Sequence, residues 1–149
     1  MANYATYTEA IAYAATVYPA PTNFTSAIAA TQTRALAEAT RIIDQLSFKG
    51  EKTDSSQTNE FPRDDETTVP TSIKNACCEI AFSLLDGVDP QEEYNNLFVT
   101  SHAFGDAKIS FDRSNMPANI LAGVPSVKAW RMLIPYINDP RTLVMERVS

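Results

Sequence analysis

Asp64-Asp65-Glu66 is the densest group of carboxylates in the chain and the first place to look for chemistry. Contiguous carboxylates can hold a divalent cation, but the glycine and distal glutamate of a calcium loop are missing. A solvated charge run accounts for them better. The single histidine, His102, lies near no nucleophile motif, so it reads as structural or exposed. Cys77 and Cys78 are adjacent within an apolar helical pattern. Vicinal residues on a helix point about 100° apart, so a disulfide between them would be strained. Two small buried hydrophobes in a reducing compartment fit them better, and one histidine beside two cysteines matches no zinc spacing. Four glycines in 149 residues leave no room for a phosphate-cradling loop, and no Gly-x-Ser-x-Gly elbow occurs. The reading is a non-enzyme with no catalytic residue, no cofactor and no metal.

Nucleic-acid binding is the next chemistry to weigh. Tyr4, Tyr7, Tyr13 and Tyr18 are stacking candidates for single-stranded DNA, yet no basic residue precedes Arg34. The chain carries 12 basic against 18 acidic residues, a net of −6, and the basic ones are spread singly. Affinity for nucleic acid comes chiefly from neutralising phosphates, so this balance disfavours sequence-independent binding. Packing is the better use for the tyrosines. No basic-then-apolar leader opens the chain and no apolar run approaches a membrane span, so a soluble protein made in the cytoplasm is expected.

The elements that would position these residues are mainly helical, in one domain spanning 1–149 with a core over about 4–137. A short helix starts at Thr8 and stops before Pro19 and Pro21. A second runs from near Thr25 to about Leu46, with Ile28, Ala35, Ala39, Ile42 and Leu46 on the apolar stripe. Gln32, Arg34, Glu38 and Arg41 take its outer face. Residues 47–69 then form a polar strap, with six acids and two bases between Glu51 and Glu66. Connections of this length are commonly functional or mobile, and Phe61-Pro62-Arg63 is the part able to pin the strap to the core. Pro70 opens a third helix through Ile73, Cys77, Ile80, Ala81, Leu84 and Leu85, stopped by Gly87. Asp89-Pro90 opens a short helical turn through Tyr94, Leu97 and Phe98.

Alternation around the Gly105-Asp106 turn signal predicts a β-hairpin over about 99–111, including Phe104, Lys108, Ile109 and Phe111. A lone hairpin is marginal, so it must lean on helices or pair with a neighbour. Residues 112–124 read as a loop. The last helix runs from Pro125 to about Ile137, with Val127, Trp130, Leu133, Ile134 and Ile137 inward. The tail 138–149 carries Leu143, Val144, Met145 and Val148, more apolar character than a free terminus usually has, so it is expected to dock. The expected fold is a small bundle of about four helices with one short hairpin and extended terminal segments.

Three short motifs in this order carry a resemblance: Ala39-Thr40-Arg41-Ile42-Ile43-Asp44, Phe61-Pro62-Arg63 and Val69-Pro70-Thr71-Ser72-Ile73-Lys74-Asn75-Ala76. The chain from about Tyr4 to Ile137 resembles small phage proteins catalogued as DnaT-like single-stranded-DNA-binding proteins. It looks more like their structural reading as head–tail adaptor, or connector, subunits of tailed bacteriophages. Phe61 stands where that pattern usually has Trp, which keeps an aromatic anchor. The resemblance implies a homo-oligomeric, dodecameric ring under the portal vertex, in contact with portal protein and with tail or nozzle proteins. It implies a virion protein at the head–tail junction whose channel passes DNA without binding it specifically. Within that picture Arg141, Leu143, Val144, Met145 and Val148 are candidates for portal or tail docking, and Phe104, Lys108, Ile109 and Phe111 for the subunit interface. Glu51, Asp54, Glu60, Phe61, Arg63, Asp64, Asp65 and Glu66 form the strap and possible channel lining. The alternative is a DnaT-like accessory protein that binds single-stranded DNA.

Overall fold

The computed structural model describes residues 2–99 and 117–138. Seven α-helices and one 3-10 turn lie in these segments, and no β-strand is present among the described residues. The predicted hairpin over about 99–111 and the tail beyond Asn138 lie outside the described residues, with their docking and interface candidates. Only Val99 of the hairpin is described, and it ends a helix.

Helix α1, Tyr7–Ala14, begins one residue before the predicted start, because Thr6 rather than Thr8 caps it. The Glu9 amide donates to the Thr6 hydroxyl at 3.2 Å, and the Thr6 amide donates to the Glu9 carboxylate at 2.9 Å. This reciprocal pair satisfies two amides that a helix start leaves orphaned.

The second helix expected from near Thr25 to about Leu46 starts later and ends at Asp44, with a separate turn before it. A single turn, α2 (Thr22–Thr25), is followed by α3 (Ala29–Asp44). Ile28 caps α3 in an extended conformation and is 71% exposed, so it does not belong to the apolar stripe. Gln32, expected outside, is buried, because its amide group donates to the Phe24 carbonyl at 2.8 Å and ties α3 to α2. One buried polar bond overrides the periodic pattern at this point.

Helix α4, Thr71–Leu85, is the centre of the molecule. Pro70 sits just outside its first turn as the cap rather than within it. Helices α1, α2, α3 and the late helix α7 all pack against α4. Its buried run takes in Ile73, Ala76, Cys77, Cys78, Ile80, Ala81 and Phe82, most of the circumference. Both thiols are buried and unbridged. A left-handed Gly87, at φ 94°, ends α4 with the Val88 amide on the Ser83 carbonyl and the Gly87 amide on the Leu84 carbonyl.

Helix α5, Pro90–Val99, starts on the Asp89 carboxylate, which accepts from the Gln91 amide at 2.9 Å. The predicted loop over 112–124 contains a short helix, α6 (Ala118–Leu121), bracketed by Pro117 before and Gly123 after. These are start and stop signals that a loop reading passes over. Helix α7, Val127–Leu133, is capped by the Ser126 hydroxyl rather than beginning at Pro125. It tightens into the 3-10 turn Ile134–Tyr136 at Pro135. Ala129, Trp130, Leu133 and Ile137 face inward, whereas Val127 and Ile134, expected inward, are exposed.

Trp130 is buried in α7, the helix that packs along α4. Truncation to alanine leaves a large void, so Trp130→Ala should cost about 3–5 kcal/mol in urea unfolding. A loss below about 1 kcal/mol would place the indole outside the core.

Candidate functional site

The strap of residues 47–69 is held by side chains and isolated backbone bridges rather than by helix. Its two ends come together through an antiparallel bridge between Lys52 and Arg63. The Asp64 amide donates to the Glu51 carbonyl at 2.9 Å and the Thr53 amide to the Pro62 carbonyl at 3.1 Å. A second bridge, Phe48 to Ile137, lays the start of the strap along the end of the chain's helical body. The Lys49 amide donates to the Tyr136 carbonyl at 2.8 Å, and the Asn138 amide to the Ser47 carbonyl at 3.0 Å.

Arg63 holds this loop from inside. Its Nε donates to the Lys49 carbonyl at 2.9 Å. Nη1 donates to the Glu60 carbonyl at 3.2 Å and the Glu60 carboxylate at 2.7 Å. Nη2 donates to the Gly50 carbonyl at 2.6 Å and the Phe48 carbonyl at 3.4 Å. A guanidinium has five N–H donors, and five acceptors meet them here. The group also lies 6.0 Å from the centre of the Phe48 ring, within cation–π range. Lys52 approaches Glu60 from outside at 3.5 Å.

Phe61 fills the space beside it. Its ring meets those of Tyr4, Phe48 and Tyr136 edge to face at 6.0, 4.7 and 5.6 Å, in the range where aromatic pairs attract. The Tyr4 hydroxyl donates to the Asp44 carboxylate and accepts from the Phe61 amide at 3.1 Å. The same Asp44 oxygen accepts from the Glu60 amide at 3.2 Å. The Tyr4 amide donates to Thr40 Oγ1 at 3.1 Å, and Asn59 Nδ2 donates to the Ala2 carbonyl at 2.6 Å. The N-terminal segment, the end of α3 and the strap are therefore one hydrogen-bonded unit. Burial and the bond to Asp44 push the Tyr4 phenol well above its ordinary range, and burial raises the Asp44 carboxyl.

The sequence-predicted strap residues divide in two. Glu51, Asp54, Asp64, Asp65 and Glu66 are exposed and give the strap an acidic outer surface. Phe61 and Arg63 are buried and Glu60 is half-buried, so Phe61 and Arg63 serve the strap itself rather than any surface it presents. Asp64 Oδ1 accepts from the Glu51 amide at 3.1 Å, and Ser56 donates through its amide and hydroxyl to Asp54 at 2.9 and 2.7 Å. These two donors hold the Asp54 carboxyl below its usual range. Asp64 and Asp65 both have left-handed backbones, at φ 54° and 65°, which aspartate tolerates better than most residues. Among the described residues no three potential metal ligands converge.

The sequence reading missed Tyr4, Asp44 and Asn59 as parts of this unit. Tyr4 and Asp44 were visible only as a tyrosine near the start and the last residue of a helical motif. The described residues also hold the whole charge imbalance, with 8 basic against 14 acidic side chains, net −6. Four of those eight bases, Arg41, Lys52, Arg63 and Lys74, are already in ion pairs. No helix among the described residues is long and apolar enough to cross a membrane.

A family model described as "Putative DnaT-like ssDNA binding protein" matches residues 2–147. No curated protein and no solved structure matches the chain.

Two stability predictions follow from this geometry. Arg63→Lys keeps the charge but supplies three donors where five acceptors wait, so buried carbonyls lose partners. Roughly 1–3 kcal/mol per orphaned acceptor should appear as a lower urea midpoint. Gly50→Ala should cost about 1–3 kcal/mol, because Gly50 has φ 76° and a Cβ there would sit 2.1 Å from Asp64 Oδ1. Wild-type midpoints for either variant would show that the strap is not held in this way.

The pH dependence has a definite sign. Burial pushes the Cys77 thiol up to about 11 and the Cys78 thiol up to about 12, and it raises the phenols of Tyr4 and Tyr13. Unfolded thiols titrate near about 8.5 and phenols near about 10. The unfolded chain therefore releases these protons first, and folded stability falls as pH rises from about 8.5 upward. Urea midpoints measured between pH 7 and 11 should decline across that window. A flat profile would contradict the burial of these groups.

Proposed function

The chain belongs to this DnaT-like family, and on that premise we propose that it is a structural head–tail adaptor subunit of a tailed bacteriophage. Its role is to form a ring under the portal, to join capsid to tail, and to continue the DNA channel without catalysis. The observation that carries this reading is electrostatic. The described body bears the entire net charge of −6, and its strap exposes five acids, Glu51, Asp54, Asp64, Asp65 and Glu66, against one base, Lys49. Such a subunit repels a DNA backbone, which suits a conduit that must let duplex pass and does not suit a protein that must grip it. The strap's arginine is spent inside, on its own carbonyls. Within this proposal Arg141, Leu143, Val144, Met145 and Val148 dock on portal or tail, while Phe104, Lys108, Ile109 and Phe111 meet the neighbouring subunit. A heterologous ring needs two such different surfaces.

Single-stranded DNA binding is the second reading. The description of the matching family names that ligand directly. Tyr7 and Tyr18, 48% and 91% exposed, are available for stacking on bases. What argues against it is charge: a single base, Lys128, reaches Tyr18, on its carbonyl at 3.2 Å, and the described residues are net −6.

Mass measurement separates the two. The purified chain is weighed in solution alone, then with the portal protein of its particle, then with labelled oligothymidine at low and high salt. Addition to the portal as a ring, with no shift on oligothymidine, is the result expected of the adaptor. Indifference to the portal together with salt-dependent binding of oligothymidine would overturn it in favour of the second reading.

A further inference from the structure

A groove of about 340 Å³ opens on the outer side of α4, between the segment that follows α1 and the start of α7. Its apolar lining includes Val17, Phe82, Pro125 and Val127, and its carboxylates are Glu79 and Asp86. Glu79 is the unusual member. It lies in the central helix and is only 7% exposed. Its Oε1 accepts from the Tyr13 hydroxyl at 3.0 Å, while its Oε2 takes no hydrogen bond among the described residues. That oxygen is not sealed in the protein either. Among the described residues the buried side-chain atoms without partners are Asp44 Oδ2 and Asn59 Oδ1, both at the strap.

No described cation neutralises the pair. Lys128, the basic residue at the rim, directs its Nζ to the Tyr18 carbonyl at 3.2 Å and forms no ion pair with either acid. Among the described residues Asp86 accepts from Asn23 Nδ2 alone, at 2.8 Å. A nearly buried carboxylate with one unmatched oxygen is costly unless a donor reaches it. The matching chemistry is an arginine or lysine on an apolar stem, whose methylenes lie along Phe82 and Val17 while its head meets Glu79 and Asp86.

We propose that this groove is a docking site for a basic side chain, flanked by apolar residues, on a peptide segment of a different protein. Charge complementarity selects that occupant. Glu79 and Asp86 face the groove with no described cation paired to either, so a basic head on an apolar stem is drawn in. The inference rests on the reading that the subunit works by docking to other proteins, and it names the partner chemistry at one surface.

The test uses the full chain, uniformly labelled with nitrogen-15, titrated with acetyl-Gly-Leu-Arg-Leu-Gly-amide and with its citrulline counterpart. The arginine peptide should shift the amides of Ser83, Asp86 and Val127, with saturation at submillimolar to millimolar concentration. Citrulline should bind at least 10-fold more weakly. Glu79→Gln, which keeps an acceptor for Tyr13, and the exposed Asp86→Asn should each weaken the arginine peptide at least 10-fold. Glu92→Gln, an exposed acid on α5, should leave it unchanged. Equal binding of the two peptides, equal binding by the variants, or no shifts at 5–10 times a roughly millimolar Kd would overturn the proposal. Self-association without peptide that Glu79→Gln abolishes would give the groove to a second copy and overturn it as well. The result is independent of the ring measurement: a groove that takes arginine in a chain that ignores the portal sinks only the adaptor reading.

Discussion

A charged side chain buried among backbone carbonyls holds the non-helical strap of this fold in place. The strap has almost no apolar residues with which to attach itself, and ordering its backbone costs roughly 1–2 kcal/mol per residue. Arg63 offsets part of that cost by gathering carbonyls from both ends of the loop onto one rigid, planar donor. Carbonyls that would otherwise be buried without partners become the binding site for the cation, and the cation is neutralised by the Glu60 carboxylate at 2.7 Å, whose other oxygen pairs with Lys52 at 3.5 Å. Phe61, two residues earlier, inserts into the aromatic cluster that the guanidinium positions.

The same device settles where the charge of the protein goes. Because the strap's own arginine faces inward, Glu51, Asp54, Asp64, Asp65 and Glu66 outnumber the one exposed base, Lys49, on its outer surface. An acidic surface on an ordered loop has a fixed direction, unlike a mobile acidic tail, and so it can repel or attract a partner from one side only. Stability and electrostatics are thus coupled in a single segment. A loosened strap would lose both the order of the loop and the placement of its charge.

The helical body supplies the frame. With α4 packed against α1, α2, α3 and α7, eight of its fifteen residues are buried, and one of them is a glutamate. Tyr13 satisfies one of its oxygens. Tyr13 also stacks on Phe82 at 6.1 Å, so the polar contact is built into the aromatic packing rather than added at its edge.

By itself the sequence determined the helical class, the strong stripe of α4 with its glycine stop, the break at Asp89-Pro90, and the anchoring role of Phe61 and Arg63. All of these are local signals, because turn residues and apolar periodicity act within a few positions of themselves. The chain also matches its family along residues 2–147, as the order of its short motifs suggested. Tertiary structure decided the rest. Gln32 went inside because Phe24 offered a carbonyl, and Ile28, Val127 and Ile134 stayed outside because neighbours claimed the other face. Tyr4 and Asp44 became partners across forty positions, and Glu79 was placed beside a groove while buried in a core helix. Periodicity reports which side of one helix is apolar, and it carries no information about which distant polar group will arrive to meet a buried one.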